Sequence, residues 1–310
     1  MQRRKLLQLL AATATSPLVS AADTDLVVAV NQTTIESAPL LIQSIPGIRV
    51  VPVPNGRAAS ALLVSGMADA ATGSETQALL NSIAQPELRI VLTLAECRYR
   101  MVARRSAGIR GIIDLRGKRV AQTPGTSSIY FLVDMLRLVG LTVDDVTLVT
   151  MEGPDMPAAL AGKQIDAMAM WEPHAQNALD QLGDDYMLLT HPSAYFERFN
   201  LNTSTQVLNN PQRRGVLVAA LKAIDQVSRQ LEKTPGPFMP ALSQAISTPV
   251  TTIENVWSQF RFPARLDQSG MLEILAKMEP WAAAVAKRSA RSTQVLAQMI
   301  DPSIVREAGL

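Results

Sequence analysis

The residues best suited to hold a small polar ligand fall in four short turns. The first is Gly125-Thr126-Ser127-Ser128, a run of hydroxyls leading into a helical segment with no acidic residue before Asp134. Asp and Glu ordinarily favour that end of a helix dipole, so their absence leaves the first amides and the hydroxyls open to an oxyanion. Thr72-Gly73-Ser74 offers similar groups, but Ser74-x-x-Gln77 can close a capping box on itself, with Glu75 already in the first turn. Gln32-Thr33, after an apolar strand, and Trp171-Glu172, before Pro173 and His174, complete the set.

Catalytic and metal chemistry find less support in the same residues. Gly125-Thr126-Ser127-Ser128 lacks the Gly-x-Ser-x-Gly spacing of a nucleophile elbow, and a Ser/His pair would have to recruit His174 or His191, the only two histidines. Those histidines and Cys97 are the soft ligand candidates, and none has a His-x-x-x-His or Cys-x-x-Cys partner. No metal and no cofactor is expected. Cys97, as the single cysteine, forms no intramolecular disulfide and reads as a half-buried structural thiol.

The elements that must position these turns alternate between strand and helix. Short β-rich runs at 26–30, 48–53, 89–94, 118–121 and 146–149 are separated by segments of helical period, the pattern of parallel sheets flanked by helices. One helix starts near Ser127, because Leu132, Met135, Leu136 and Val139 share a face and Gly140 closes it. From Pro211 onward strands are expected to stop, and amphipathic stretches at 216–231 and 271–285 take over. The segments 61–70 and 159–167 form a weak repeat: helix, glycine cap, Asp-Ala, then a strand running into a polar turn. Two equivalent strand ends facing each other would set Thr72-Gly73-Ser74 and Trp171-Glu172 on opposite walls of one cleft.

Length and composition fit such a molecule. The chain has 310 residues, 47% hydrophobic and 18% charged, enough to bury cores in two lobes and too apolar for disorder. Its net charge of +2 includes Arg3, Arg4 and Lys5, so the remainder is nearly balanced and carries no nucleic-acid footprint. Those three cations precede an apolar run, Leu6 to Leu18, and small residues Val19-Ser20-Ala21, which predicts a signal peptide over 1–22 read by the Sec or the twin-arginine route. With no cysteine near that cleavage region, the exported protein is expected to be free of a lipid anchor, periplasmic and monomeric.

The run Asp114-Leu115-Arg116-Gly117-Lys118-Arg119-Val120-Ala121 with Pro124-Gly125-Thr126-Ser127, followed by 159–167 and Trp171-Glu172-Pro173-His174, resembles the periplasmic substrate-binding proteins of nitrate/sulfonate/taurine-type ABC transporters over roughly residues 24–200. The resemblance implies a type II periplasmic-binding fold: two α/β lobes with parallel-rich sheets, two crossovers, a helical C-terminal part, and a ligand closed between lobes by hinge motion. It implies lobe 1 over 23–102, lobe 2 over 103–195 and a return to lobe 1 over 196–310. Carried over position by position, Gln32, Thr33, Thr72, Gly73, Ser74, Gly125, Thr126, Ser127, Ser128, Trp171 and Glu172 should line the cleft. The implied partners are a small, oxyanionic ligand and an inner-membrane permease with its ATPase. Two features depart from that pattern. The segment from Glu36 to Gly47 is short, and no cation falls at the carried-over positions, leaving Arg98 or Arg100 as assistants. Glu172 would repel an anion if it faced the cleft, so an amine-bearing or zwitterionic ligand stays open. The alternatives are a ligand-binding sensor module, or an enzyme on the same fold acting on a small metabolite such as a pyrimidine precursor.

Overall fold

The computed structural model describes residues 25–192 and 195–310. The expected signal peptide lies outside them. The first sheet is built from β1 (Leu26–Asn31), β2 (Ile48–Val53), β3 (Ala70–Ser74) and β4 (Leu88–Arg98), with α1 (Ala38–Leu41), α2 (Gly56–Val64) and α3 (Glu75–Asn81) between them. At Tyr99 the chain passes into a second sheet: β5 (Arg100–Arg104), β6 (Arg119–Gln122), α4 (Ser127–Arg137), β7 (Thr147–Thr150), α5 (Met156–Ala161), β8 (Ala167–Met170), α6 (His174–Leu182) and β9 (Tyr186–Leu189). It then returns through β10 (Phe196–Ser204), α7 (Thr205–Asn209), α8 (Pro211–Lys233), α9 (Met239–Ile246), α10 (Val250–Val256), β11 (Phe260–Arg261), α11 (Gln268–Val285), α12 (Thr293–Ala297) and α13 (Ser303–Ala308).

The sheet orders are β11-β4-β10-β3-β1-β2 and β7-β6-β8-β5-β9. The parallel strands anticipated from the βαβ pattern are β2-β1-β3 and β7-β6-β8. Each sheet is nevertheless mixed, because β10 enters the first between β3 and β4 antiparallel to both, and β5 lies antiparallel to β8 and β9. Strands that cross between lobes arrive from the opposite end, which reverses their direction. The expectation that strands stop after Pro211 is corrected by β11, which adds two residues to the edge of β4. A strand that short has too few residues to show a period of two in the sequence.

The internal repeat is structural. Asp69 and Asp166 hold equivalent places just before β3 and β8, and each carboxylate accepts from a backbone N–H of the neighbouring parallel strand, Val27 at 2.8 Å and Arg119 at 3.0 Å. The glycine caps are not equivalent: Gly66 takes a left-handed φ in the first copy, whereas in the second Lys163 does so, after Gly162. Two apolar cores result. One lies between the first sheet and the C-terminal helices, where Leu217, Leu221, Ile224 and Leu231 of α8 pack on Val28, Leu92 and Leu94. The other runs beneath the second sheet and onward to Met271, Leu275, Met278 and Ala282 of α11, so that helix joins the two lobes.

Candidate functional site

The carboxyl ends of β1, β3, β6 and β8 converge on one small cavity of about 20 Å³, room for a single water. Asn31 ends β1 and Thr34 follows it, Gln77 follows β3, Thr126 and Ser127 follow β6, and Trp171 follows β8. Tyr99 on the first crossover and Glu197 near the start of β10 close its floor, with Glu36 beside them. Ligands of open α/β sheets bind at such strand ends, and here two sets face each other. The lobes are closed over the cavity. Arg57 of α2 donates to the Pro124 carbonyl at 3.3 Å and to Glu152 at 2.7 Å, both across the cleft.

Of the residues expected at the cleft, Thr126, Ser127 and Trp171 border the cavity. Thr126 caps α4: its Oγ1 accepts from Ser128 N at 3.2 Å and donates to the Thr123 carbonyl at 2.8 Å. Ser127 points inward and meets Glu197 Oε1 at 2.7 Å and Tyr99 Oη at 2.6 Å. Ser128 is turned into lobe 2, donating to the Ala169 carbonyl at 2.7 Å. Gly125 takes a left-handed φ of +69°, which sets the entry to α4.

The first-lobe residues support the wall from behind. Thr72 accepts from Asn31 N at 3.0 Å, and Ser74 with Gln77 forms the anticipated capping box. A Cβ at Gly73 would sit 2.9 Å from Gln77 Oε1, so a larger residue there would push the Gln77 amide out of its capping box. Gln32 and Thr33 lie away from the cavity: Thr33 binds Asn31 Oδ1 and the Pro54 carbonyl, while Gln32 lines a separate surface groove with Leu40 and Gln43. Glu172 is fully buried yet does not border the cavity, because Arg100 engages its Oε1 and Gln176 N donates to Oε2 at 3.0 Å. Arg100 therefore assists by neutralising a carboxylate of the protein itself. Arg98 stacks over Phe196, 5.6 Å from the ring centroid.

Several cavity residues carry no motif in the sequence, among them Asn31, Thr34 and the ionisable Glu36, Tyr99 and Glu197. Glu36 opens the short segment noted as a departure and is buried on a single 3-10 turn, Ile35–Ser37. Tyr99 and Glu197 sit on the two crossovers, the only signal that could have flagged them, because both connections pass the cleft floor in a two-lobed fold. The start of α4, free of acidic residues in its own first turn, is met by the Glu197 carboxylate from the other lobe. That carboxylate stands where an oxyanion was expected.

Burial dominates the electrostatics. It raises the carboxyls of Glu197 to about 7 and Glu75 to about 8, with the Ser127 and Tyr99 hydroxyls pulling Glu197 back and the charge of Glu197 pushing Glu75 further. Glu36 is raised well above the carboxylate range by burial and then by Glu197. His174, packed edge-on to Trp171, is lowered to about 4 by burial. Cys97 is fully buried rather than half-buried, and burial raises its thiol. Among the described residues no group of three or more His, Cys, Asp or Glu is placed to hold a metal, and no helix is long and apolar enough to cross a membrane.

The NMT1/THI5-like family model matches residues 47–228, more than half of the chain. The chain belongs to that family. A Brucella abortus (strain 2308) protein named as a binding protein is 28% identical over 124 residues, 37% of either chain, so the match spans little more than a third of that relative. An Escherichia coli (strain K12) protein named as an aliphatic sulfonates-binding protein is 36% identical over 75 residues, 24% of either chain. Among solved structures, the alkanesulfonate-binding protein SsuA from Xanthomonas axonopodis pv. citri, bound to MOPS, superposes with a TM-score of 0.73 at 19% identity, covering 91% of this chain and 99% of that one. The periplasmic nitrate-binding protein NrtA from Synechocystis PCC 6803 gives 0.74 at 15% identity, over 93% and 89%. The desulfurization enzyme DszB gives 0.61 at 15% identity, over 91% and 98%. The shared feature is the fold: two mixed sheets joined by crossovers.

Proposed function

We propose that this protein is the periplasmic solute-binding component of an ABC importer, taking a small ligand between its lobes and delivering it to a membrane permease driven by an ATPase. The observation that carries this reading is the cavity where four strand ends from two sheets meet, enclosed by both crossovers and latched by Arg57 across the cleft. A ligand that touches both walls binds the closed form better than the open one, and only such differential binding shifts the hinge equilibrium. The closed surface is then what a permease reads. Export through residues 1–22, the periplasmic location, a monomeric state and the lobe limits 23–102, 103–195 and 196–310 belong to the same proposal.

Within this reading Thr126 and Ser127 present the α4 end, Trp171 forms the lobe 2 wall, and Thr72, Gly73 and Ser74 hold Asn31 and Gln77 in place on lobe 1. Tyr99 and Glu197 act as the floor on which the hinge turns. The test is calorimetric titration of the purified protein with small solutes, followed by recovery of the bound molecule. Saturable binding with the ligand returned unchanged, together with retention of a permease in a membrane pull-down, supports capture. A chemically altered ligand would overturn it in favour of an enzyme, a reading that the likeness to DszB keeps in view.

A further inference from the structure

Four buried carboxylates surround the closed cleft, and they are not equally satisfied. Glu172 has Arg100, and Glu75 Oε2 accepts from Arg198 N at 3.0 Å. Glu197 Oε1 accepts from Tyr99 and Ser127, both neutral hydroxyls. Glu36 is 1% exposed, and among the described residues neither of its oxygens accepts a hydrogen bond from an N–H or hydroxyl donor of another residue; its neighbour is the Glu197 carboxyl. No Lys or Arg borders the cavity, and neither Glu36 nor Glu197 takes part in an ion pair among the described residues. Burying a carboxylate without a counter-charge is among the most expensive arrangements a fold can hold.

A second observation is independent of the acids. Trp171 and Thr34, 8% and 2% exposed, border the same cavity, and Trp171 Nε1 and Thr34 Oγ1 have no partner among the described residues. The indole N–H can only donate, so it calls for an acceptor. The cavity thus combines carboxyl acceptors with unmet capacity and donors without an acceptor. An inorganic oxyanion would satisfy the donors but would be repelled by whichever of the two acids is ionised and offers the protonated one no N–H donor.

We propose that the cleft, widened by hinge motion from the water-sized cavity of this closed form, takes a small organic cation, a protonated amine or amidinium that also carries a hydrogen-bond acceptor, its N–H groups directed to Glu36 and Glu197 and its acceptor to Trp171 and Thr34. This rests on the capture reading and names its ligand class. The cation replaces a proton. Glu36 and Glu197 lie close enough for one carboxyl to hydrogen-bond the other when a proton sits between them, and burial favours that protonated pair while the cleft holds no counter-charge. Tyr99 and Cys97 face the pair from the β4 side, and both stay neutral because burial raises them. Glu75 from α3 adds repulsion, Tyr195 is neutral, and the Glu172–Arg100 pair is balanced. Cation binding therefore releases a proton, and affinity climbs with pH until Glu197 is ionised.

Four probes separate the possibilities: ethanolamine and isethionate, an amine and a sulfonate on the same two-carbon hydroxyethyl skeleton, with agmatine as a guanidinium-bearing amine and nitrate as an inorganic oxyanion. Titrations of the full exported protein are run at pH 5.5 and pH 8 in two buffers of different ionisation enthalpy. The expected result is saturable amine binding that tightens about 30-fold between those pH values for a single linked group near 7, with proton release, and no binding of isethionate or nitrate. Glu36→Gln and Glu197→Gln each abolish the pH dependence and weaken amine binding at least tenfold while the protein melts no lower than wild type; the second variant covers the case where the first does not fold. Binding of isethionate or nitrate alone, or amine binding that loosens with rising pH, overturns the cation assignment and leaves capture intact. Binding of none of these probes by a folded protein counts against both.

Discussion

If Glu197 is a buried acid without a counter-charge, removing its charge should stabilise the ligand-free protein, and only where the acid would be ionised. Its folded value of about 7 stands well above the ordinary 4.5. A raised acid contributes stability that is complete below about pH 4.5 and lost as pH rises through 7. At 1.36 kcal/mol per pKa unit, the loss between pH 5 and 7.5 amounts to about 2 kcal/mol. Glu197→Gln keeps an oxygen to accept from Tyr99 and Ser127 and removes the charge. The two proteins should melt alike at pH 5. At pH 7.5 the variant should melt about 4 °C higher, at roughly 2 °C per kcal/mol for a chain this long. The comparison must be variant against wild type at each pH, because buried His174, lowered to about 4, acts in the opposite direction: the unfolded chain gains its proton first, so stability rises with pH across 4 to 6.5. Differential scanning calorimetry of ligand-free protein at the two pH values reads the difference directly. A variant-minus-wild-type shift that is the same at pH 5 and 7.5 would refute the claim that Glu197 is charged at the cost of folding.

The remaining expectations concern the walls and the frame. Arg57→Ala removes the latch to Glu152; the pair is about half exposed, so closure loses under about 1 kcal/mol, ligand affinity falls less than about fivefold, and 1 M salt erases the difference in titrations. Thr126→Ala and Ser127→Ala should separate: the first loses the α4 cap and lowers stability by about 1 kcal/mol with little change in affinity, whereas the second strips Glu197 and Tyr99 of a partner and weakens binding by about 1–3 kcal/mol. Equal effects of the two on binding would sink that division of roles. Glu279 works against burial: hydrogen bonds from Arg288 and Arg291 hold its carboxyl at about 2, and Arg291 reaches Ser82 Oγ at 2.9 Å to tie the C-terminal helices to α3. Its stabilisation is present above about pH 4.5 and lost as pH falls toward 2, and Glu279→Ala should cost about 3–5 kcal/mol in denaturant titration by leaving both arginines without their acid.

Much of the frame was legible because strand and helix periods are local. The β1, β2, β4, β6 and β7 runs, the start of α4 at Ser127 and the capping box at Ser74 all lie within a few residues of where alternation, helical spacing and cap chemistry put them. The repeat also held real information, since Asp69 and Asp166 do the same work against neighbouring strands. Gln32 reads like a cleft residue from the sequence but faces an outer groove, because strand-end position alone does not say which way the following turn folds.

By itself, then, the sequence determined the alternation of elements, their equivalent strand ends and a helix start open to a carboxylate. The tertiary structure decided the sign of the cleft. Arg100 cancels Glu172, while Glu36 and Glu197 arrive from segments far apart in the chain to face each other across the floor. A charge's effect depends on what surrounds it after the lobes close and water leaves. Neighbours in the chain carry almost no trace of that.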